Sequence, residues 1–194
     1  MSVRQGRASR VTDLGDGTVV RVGGDPEREA RIMALVRSAG FPVPRVHEVR
    51  PDSLLLERIS GGTMAEDLRR RPWRAWRHMA TLAGLHDRLH LIPFERERVI
   101  HLDLHPDNVL VSDQGPVVID WTNARSGEPD QDVALTWLIL RTSAGLPGRI
   151  LARLFRSIVG SEGVRRGLDE ARAFRVADPH VSDAERARAL RATP

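Results

Sequence analysis

The first sixty residues alternate between apolar and polar positions over short stretches, a pattern that predicts several β-strands. SRVTDLGDGTVVRV carries β-branched residues on both sides of Gly15-Asp16-Gly17, a strong turn signal, and predicts a hairpin. FPVPRVHEV and SLLLERI have the same character and predict two further strands. We therefore expect this part of the chain to form a small sheet.

One helix is predicted between these strands, in the segment DPEREARIMALVRSAG. Asp25 suits the N-cap, Pro26 suits the first helical position, and Gly40 suits the exit from the helix. Four apolar residues share one face at helical spacing, namely Ile32, Leu35, Val36 and Ala39. The predicted order is thus strand, strand, helix, strand, strand.

The pattern becomes helical after Gly61-Gly62. Helices are predicted at residues 63–71, 73–90, 130–142, 147–158, 161–175 and 182–192. Among them, NVLVSDQGPVVID predicts a second hairpin that turns at Asp113-Gln114-Gly115. We expect an α+β fold with a β-rich unit over residues 1–60 and a mostly helical unit over residues 61–194.

The composition is that of an ordinary globular protein, except in its basic residues. Of the 194 residues, 41% are hydrophobic and 29% are charged. All thirty basic residues are arginine, so the pI is 11.0 although the net charge is only +4. The chain has no cysteine, which excludes disulfides and cysteine metal sites.

Sequence features that bear on location and large partners are few. MSVRQGRASR lacks the apolar core of a secretory signal, and the longest apolar run, VALTWLIL, is too short to cross a bilayer. We therefore expect a cytoplasmic protein with no membrane partner. Arg69-Arg70-Arg71 is compatible with nucleic-acid contact, but a solvated helix surface is the preferred interpretation, and no nucleic-acid partner is expected.

The segment HLDLHPDNVLV concentrates polar side chains just before an apolar run. Asp103 and Asn108 are five residues apart, a spacing that fits a loop better than one face of a helix or strand. Asp120 ends the second strand of the predicted hairpin, which returns it beside Asn108. Carboxylate and amide oxygens suit Mg²⁺, and a carboxylate left off the metal can act as a base. A hydrogen-bonded loop scaffold is the alternative.

HLDLHPDNVLV, followed by VVIDW, resembles the H-x-D-x-x-x-x-N catalytic loop and the metal-binding Asp of the aminoglycoside phosphotransferase and choline kinase-like family. Four other segments resemble family segments: FPVPRVHEV, LLLERISGGTM, LAGLHDRLHLIP and GEPDQDVA. The usual family loop is HGDLHPGN, so Leu102 and Asp107 replace glycines. The resemblance covers most of residues 6–142 and implies a bilobal protein-kinase-like fold with a small β-rich N-lobe and a mostly helical C-lobe.

The resemblance also implies roles for individual residues. Asp103 would accept the proton of the acceptor hydroxyl, and His105 would lie near the γ-phosphate of ATP. Asn108 and Asp120 would hold Mg²⁺ against the ATP phosphates. Adenine would meet backbone groups of the hinge, which consists of Glu57, Arg58 and Ile59.

Several other polar or aromatic residues are expected to be structural. His101 should brace the catalytic loop through backbone hydrogen bonds, and Asp132 should cap a helix and brace the same loop. His86, His90 and Trp121 are assigned to packing.

Besides Leu102 and Asp107, two features of the N-terminal part depart from the family pattern. Arg21 occupies the place of the usual phosphate-binding lysine, with Glu29 as its partner, and the alternative is a simple ion pair between them. The glycine-rich loop retains only Gly6, a weak signal for phosphate binding.

We therefore predict a small-molecule kinase that transfers the γ-phosphoryl group of ATP to a hydroxyl of an unidentified small molecule, with Mg²⁺. The alternative is a pseudokinase or nucleotide-binding interaction module without turnover, favoured by Arg21, by the single glycine and by the short helical region after Leu140. A protein kinase is less favoured, because Asp120 and Asp132 are too close for a long activation segment. The oligomeric state is left open.

Overall fold

The computed structural model describes residues 3–5, 10–143 and 145–194. It begins with a five-stranded antiparallel sheet in the order β1-β2-β3-β5-β4. Its strands are β1 (Val3–Gln5), β2 (Arg10–Asp13), β3 (Thr18–Val22), β4 (Val46–Val49) and β5 (Ser53–Glu57). Gly6, the predicted remnant of the glycine-rich loop, lies outside the described residues.

β2 and β3 form the predicted hairpin. Gly15 and Gly17 have φ angles of 84° and 89°, which residues with a side chain rarely adopt. The carboxylate of Asp13 accepts the N–H of Gly15 at 2.9 Å, and that of Asp16 accepts the N–H of Thr18 at 3.0 Å. The prediction of this turn is therefore confirmed, together with its chemistry.

The predicted helix between the strands is α1 (Pro26–Ser38). Asp25 is its N-cap, because the carboxylate accepts the N–H of Arg28 at 3.1 Å. Ile32, Met33 and Val36 are buried, and the helix packs against β4 and β5. Ile32, Val36 and the half-buried Leu35 thus form the predicted apolar face, but Ala39 is exposed at the C-cap, and Met33 is buried in addition.

Seven further helices are described. They are α2 (Met64–Arg70), α3 (Ala75–Leu89), α4 (Pro129–Ser143), α5 (Gly145–Val159), α6 (Ser161–Arg166), α7 (Leu168–Ala177) and α8 (Asp183–Arg191). A 3-10 turn, Pro72–Arg74, precedes α3. α4 is the central helix, since it packs against α5, α6, α7 and α8. None of the described helices combines the length and apolar character that spanning a bilayer requires.

The single helix predicted at residues 161–175 is wrong, because the structure has two. α6 ends at Arg166 and α7 begins at Leu168, with Gly167 between them. A Cβ atom on Gly167 would lie 2.0 Å from the carbonyl oxygen of Asp130. The break therefore lies where the backbone must pass directly over the start of α4.

Six short strands build two three-stranded sheets in the second part of the chain. These strands are β6 (Gly62–Thr63), β7 (Pro93–Phe94), β8 (Glu97–Ile100), β9 (Val109–Ser112), β10 (Gly115–Val118) and β11 (Arg125–Gly127). One sheet has the order β10-β9-β6 and the other β11-β8-β7. The β9–β10 hairpin confirms the second predicted hairpin. It directs the chain ends before β9 and after β10 to the same place.

The core is one continuous cluster of buried apolar side chains. It includes Ile32 and Leu54 from α1 and the five-stranded sheet, and Leu82, Val118 and Phe155 from the rest of the chain. The α+β architecture is as predicted. The division into two units at residue 60 stays a prediction, although the five-stranded sheet does end at Glu57.

Candidate active site

The loop between β8 and β9 carries most of the predicted catalytic residues. Asp132 on α4 is fully buried, and its carboxylate accepts the N–H groups of His101 at 3.0 Å and Leu102 at 2.8 Å. Leu102 has a φ of 59°, so the chain takes a left-handed turn where the resembling loops have glycine. Asp132 thus braces the loop, as predicted. The prediction that it also caps a helix is wrong, because Asp132 lies inside the first turn of α4.

His101 is the second brace of this loop. Its Nδ1 accepts the N–H of Asp103 at 3.2 Å, and its ring lies 4.8 Å from the ring of Trp121. Burial lowers the pKa of His101, more than the neighbouring carboxylates raise it, which favours the neutral ring. The prediction that His101 holds the loop through a backbone hydrogen bond is confirmed.

Asp103 and Asn108 converge, as their spacing predicts. Asn108 lies in a 3-10 turn, Pro106–Asn108, directly before β9. Its Nδ2 donates to the backbone oxygen of Asp103 at 2.9 Å and to the carboxylate at 2.8 Å. Because the amide nitrogen faces Asp103, the Oδ1 oxygen of Asn108 is left for a cation.

His105 lies against the same carboxylate. Its Nε2 is 3.4 Å from Oδ1 of Asp103, and its Nδ1 accepts the N–H of Asp107 at 3.3 Å, so the ring proton faces Asp103. Burial raises the pKa of Asp103, but the hydrogen bond and charge of His105 hold it below its usual range. Burial lowers the pKa of His105, but Asp103 raises it above its ordinary value. Asp103 is therefore ionised at neutral pH.

Asp120 follows β10, and the hairpin returns it to the position where β9 began. Its φ is 62°, a left-handed conformation, and its side chain is 31% exposed. The hydroxyl of Thr122 donates to its Oδ1 at 2.7 Å. The next residue, Trp121, is buried and packs edge-on against Phe41, with ring centroids 5.7 Å apart. Trp121 is thus a packing residue, as predicted.

Arg21 on β3 is buried, and its two terminal nitrogens contact different elements. Nη1 lies 2.6 Å from Oε2 of Glu29 on α1, so the predicted partner is confirmed. Nη2 lies 3.3 Å from Oδ1 of Asp120 and also donates to the hydroxyl of Thr122. Burial raises the pKa of Glu29 to about 7, an effect that the charge of Arg21 only partly opposes.

Thr122 was missed by sequence reasoning. No residue pattern marks a threonine two positions after Asp120, the predicted metal ligand, and its role depends on a contact with Arg21, which is about a hundred residues away in the chain. The signal that could have identified it is the arginine itself, because a second nitrogen needs a second acceptor.

A cavity of about 470 Å³ brings most of the predicted nucleotide residues together. Arg21, Glu29, Asn108 and Asp120 line it, and the hinge lines it as well. Seven of the nine predicted site residues are in this lining: Arg21, Glu29, Glu57, Arg58, Ile59, Asn108 and Asp120. The remaining two, Asp103 and His105, contact Asn108 or each other beside it.

Two backbone N–H groups of the predicted hinge already have partners within the protein. The N–H of Glu57 donates to the carbonyl of Arg45 at 2.8 Å, and that of Arg58 donates to the carbonyl of Gly17 at 2.9 Å. These two N–H groups are therefore occupied within the protein. Of the three predicted hinge residues, Ile59 is the one left to offer its N–H.

Solved structures of several phosphotransferases share this fold. A thermostable mutant of aminoglycoside phosphotransferase APH(4)-Ia with ADP and hygromycin B gives a TM-score of 0.72 at 16% identity, covering 98% of this chain and 92% of that chain. The streptomycin–ATP–APH(2″)-IIa complex gives 0.68 at 13% identity, covering 90% and 83%. A choline/ethanolamine kinase family protein from Mesorhizobium loti gives 0.64 at 17% identity, covering 98% and 87%.

These TM-scores demonstrate a common fold and confirm the predicted protein-kinase-like architecture. No curated protein matches the chain in sequence. The model of the family described as "APH: Phosphotransferase enzyme family" matches residues 56–174, more than half of the chain and including the catalytic loop and Asp120. The chain therefore belongs to the APH phosphotransferase enzyme family.

Proposed function

We propose that the protein is a small-molecule kinase that transfers the γ-phosphoryl group of ATP to a hydroxyl group. The observation that carries this proposal is the cluster at the mouth of the β9–β10 hairpin. There, Asn108 is hydrogen-bonded to the ionised Asp103, and Asp120 lines the same cavity as Asn108. A loop scaffold needs no carboxylate kept ionised beside a large cavity, so this geometry favours chemistry over scaffolding.

Asp103 is the proposed base. Its carboxylate accepts the proton of the acceptor hydroxyl as that oxygen bonds to the γ-phosphorus and the bond to the ADP oxygen breaks. Its pKa, held low by His105, keeps it able to take up that proton at neutral pH. The hydrogen bond from Asn108 fixes the orientation of the carboxylate.

The donors at Asn108 and Asp120 fit a magnesium ion. The amide oxygen of Asn108 and the partly exposed carboxylate of Asp120 are the hard oxygen ligands that Mg²⁺ prefers, and two protein ligands suffice when phosphates and water complete the shell. When bound, Mg²⁺ would neutralise charge on the phosphates. Arg21, which lines the same cavity and contacts Asp120, would add its own positive charge there.

The proposed adenine site is the hinge side of the cavity. Ile59 would donate its N–H to the base, since those of Glu57 and Arg58 are occupied. Apolar side chains such as Val19, Met33 and Leu56 line the cavity and would contact the ring faces.

The charge of the chain bears on the chemical class of the acceptor. The related structures include aminoglycoside phosphotransferases. This chain instead has a net charge of +4 and many arginines in its last four helices, which disfavour a polycationic acceptor. We propose a neutral or anionic hydroxylated metabolite.

The second candidate is a nucleotide-binding module without turnover. The observation in its favour is the contact of Nη2 of Arg21 with Asp120, the proposed metal ligand. A guanidinium in this place competes with Mg²⁺ for the carboxylate. A protein with either candidate function would bind a nucleotide. The two functions differ in whether Asp103 acts as a base.

The test is a screen of hydroxylated metabolites for ATP consumption, followed by substitution of the proposed base. Asp103→Asn should lower kcat by about 10²–10⁴-fold and leave nucleotide affinity nearly unchanged. Asn108→Ala should reduce both kcat and Mg²⁺-dependent nucleotide affinity. Asp113→Asn, in the exposed turn of the same hairpin, is the matched control and should retain wild-type values.

An Asp103→Asn variant with the wild-type rate would show that Asp103 is not the base. A wild-type protein that binds Mg·ATP but converts none of the acceptors, and does not hydrolyse ATP, would favour the second candidate.

A further inference from the structure

A cluster of two histidines and an aspartate lies between α3 and α4, under the catalytic loop. Nε2 of His90 is 3.0 Å from Oδ2 of Asp132, and Nδ1 of His86 is 3.5 Å from the same oxygen. The three ligand-type atoms all lie within 4.8 Å of one another. His86 and Asp132 are buried, and the His90 side chain is 10% exposed.

A chain of hydrogen bonds fixes the tautomer of His86. The hydroxyl of Thr136 donates its single proton to the carbonyl oxygen of Leu104 at 2.6 Å. Nε2 of His86 is 3.0 Å from that hydroxyl oxygen, so Nε2 must carry a proton and donate it. In the neutral ring, Nδ1 is then an unprotonated lone pair.

This lone pair points at a negative charge. Nδ1 of His86 makes no hydrogen bond with any described residue, and it lies 3.5 Å from the Asp132 carboxylate. That carboxylate accepts the backbone N–H groups of His101 and Leu102 and lies 3.0 Å from Nε2 of His90, contacts that favour its ionised form. Two electron-rich atoms at 3.5 Å in the core require a cation between them.

The cation is either a proton that makes His86 an imidazolium, or a metal ion. His90 presents a second imidazole nitrogen to the same carboxylate oxygen, so the geometry offers a metal ion three ligand atoms at once. Two imidazole nitrogens and a carboxylate oxygen form a ligand set for Zn²⁺ and not for Mg²⁺, which prefers oxygen ligands alone. Thr136 orients His86 through its other nitrogen, as residues behind metal ligands commonly do.

We propose that His86, His90 and Asp132 bind one Zn²⁺-class ion, separate from the Mg²⁺ proposed at Asn108 and Asp120. In a tetrahedral zinc site with bonds of about 2.0–2.1 Å, neighbouring ligand atoms are roughly 3.3 Å apart. The 3.0 and 3.5 Å separations lie on either side of this value. His90 follows the last residue of α3 and is partly exposed. The ion would therefore enter from the side of His90, and His90 is the ligand that would move to bind it.

The ion would connect three parts of the protein. His86 and His90 belong to the end of α3, and Asp132 belongs to α4 and holds the backbone of the catalytic loop. The site is thus structural: it fixes the carboxylate on which the loop rests and takes no part in phosphoryl transfer.

The test uses the full-length chain, stripped with a chelator and then titrated with Zn²⁺ or Co²⁺ in excess Mg²⁺. We expect one tightly bound equivalent, and the visible d–d absorption of tetrahedral Co²⁺. His90→Gln should weaken binding by about 100-fold or more, because Gln keeps a donor to Asp132 but is a poor ligand. His78→Gln is the matched control, since His78 is on the same helix but pairs with Asp67 at 2.7 Å. It should bind like the wild type.

Wild-type protein that takes up no stoichiometric Zn²⁺ or Co²⁺, or a His90→Gln variant that binds as well as the wild type, would overturn the proposal. A second measurement does not need the variant to fold. ¹⁵N NMR of the metal-free wild type should show His86 neutral and protonated at Nε2, with Nδ1 shifting on addition of Zn²⁺. A doubly protonated His86 at neutral pH would mean that the cation is a proton, which also overturns the proposal.

Discussion

At the scale of single residues, Arg21 is the position that distinguishes this site from the pattern it resembles. A lysine there would present one nitrogen, whereas the guanidinium reaches Glu29 with one nitrogen and Asp120 and Thr122 with the other. The arginine therefore joins β3, α1 and the segment after β10 in one charged network. The proposed phosphate binding would therefore be combined with structural pairing in this one side chain.

Substitution of Arg21 should separate these two contributions. Arg21→Ala should weaken Mg·ADP binding by about 1.5–3 kcal/mol, the value of charge-assisted hydrogen bonds. It should also destabilise the fold by about 3–5 kcal/mol, since Glu29 remains buried without its partner. Arg21→Lys should lie between Arg21→Ala and the wild type in both properties. Isothermal titration and chemical unfolding measure them, and unchanged ADP affinity in folded Arg21→Ala would leave only the ion pair.

Glu29 predicts a pH dependence of stability with a definite sign. Its pKa, ordinarily 4.5, is raised to about 7, so between these values the folded protein retains a proton that the unfolded chain has released. The contribution of Glu29 to stability is therefore highest below pH 4.5 and falls as the pH rises to about 7. Relative to Glu29→Gln, the wild-type free energy of unfolding should fall by up to about 3 kcal/mol over this range. Urea unfolding at several pH values checks this, and a constant difference would contradict it.

The site residues differ in how far the sequence predicts them. Asp103, Asn108 and Asp120 were predictable because a loop and a hairpin, both local structures, bring them together. Thr122 was not, because its contact with Arg21 depends on how the five-stranded sheet sits over the second hairpin. His86 was predicted as a packing residue. Its proposed role as a ligand could not be predicted, because it depends on a hydrogen bond with Thr136, fifty residues away, that fixes the tautomer of His86.

At the scale of elements, local signals predicted the long helices and the hairpins but missed breaks and very short strands. The turn glycines lie directly between the strands that they connect, and Asp25 lies directly before the helix that it caps. Strands of two or three residues, such as β6 and β11, are too short to show alternation. The break at Gly167 is invisible locally, since its cause is the carbonyl of Asp130.

Gly167 and Gly84 predict opposite effects of the same substitution. Gly167→Ala places a methyl group 2.0 Å from the Asp130 carbonyl oxygen and should destabilise the protein by about 1–3 kcal/mol or more. Gly84, inside α3, has nothing within 4 Å of an added Cβ. Gly84→Ala should therefore stabilise the protein by about 0.5–1 kcal/mol through helix propensity. Denaturant midpoints test the pair. Equal shifts in one direction would show that the close approach at Gly167 is not rigid.

At the scale of the whole molecule, one cavity depends on both parts of the chain. Arg21 and Ile59 reach it from the region of the five-stranded sheet, and Asn108 and Asp120 reach it from the second hairpin. A ligand that fills it must therefore contact both parts at once. Ligand binding therefore depends on the contact between the region of the five-stranded sheet and the second hairpin.

We expect Mg·ADP to stabilise the protein against heat. A ligand at a hundred times its Kd adds about 2.7 kcal/mol to the free energy of unfolding. For a chain of this size, this raises the Tm by roughly 5–10 °C. ADP with a chelator, and Mg²⁺ alone, should each shift the Tm much less, because Asn108 and Asp120 need phosphate oxygens to complete a metal shell. No shift with millimolar Mg·ADP would contradict both the kinase and the nucleotide-module proposals.

The position of Trp121 gives the protein an optical probe of its own cavity. Trp121 is 1% exposed, stacks edge-on with Phe41 and lines the cavity, whereas Trp73 and Trp76 are 76% and 58% exposed. The chain has four tryptophans and no tyrosine, so its near-ultraviolet emission comes from indole alone. A water-soluble quencher such as iodide silences the two exposed indoles first. The emission that survives comes from the buried ones, so a nucleotide entering beside Trp121 can be followed in the unlabelled protein.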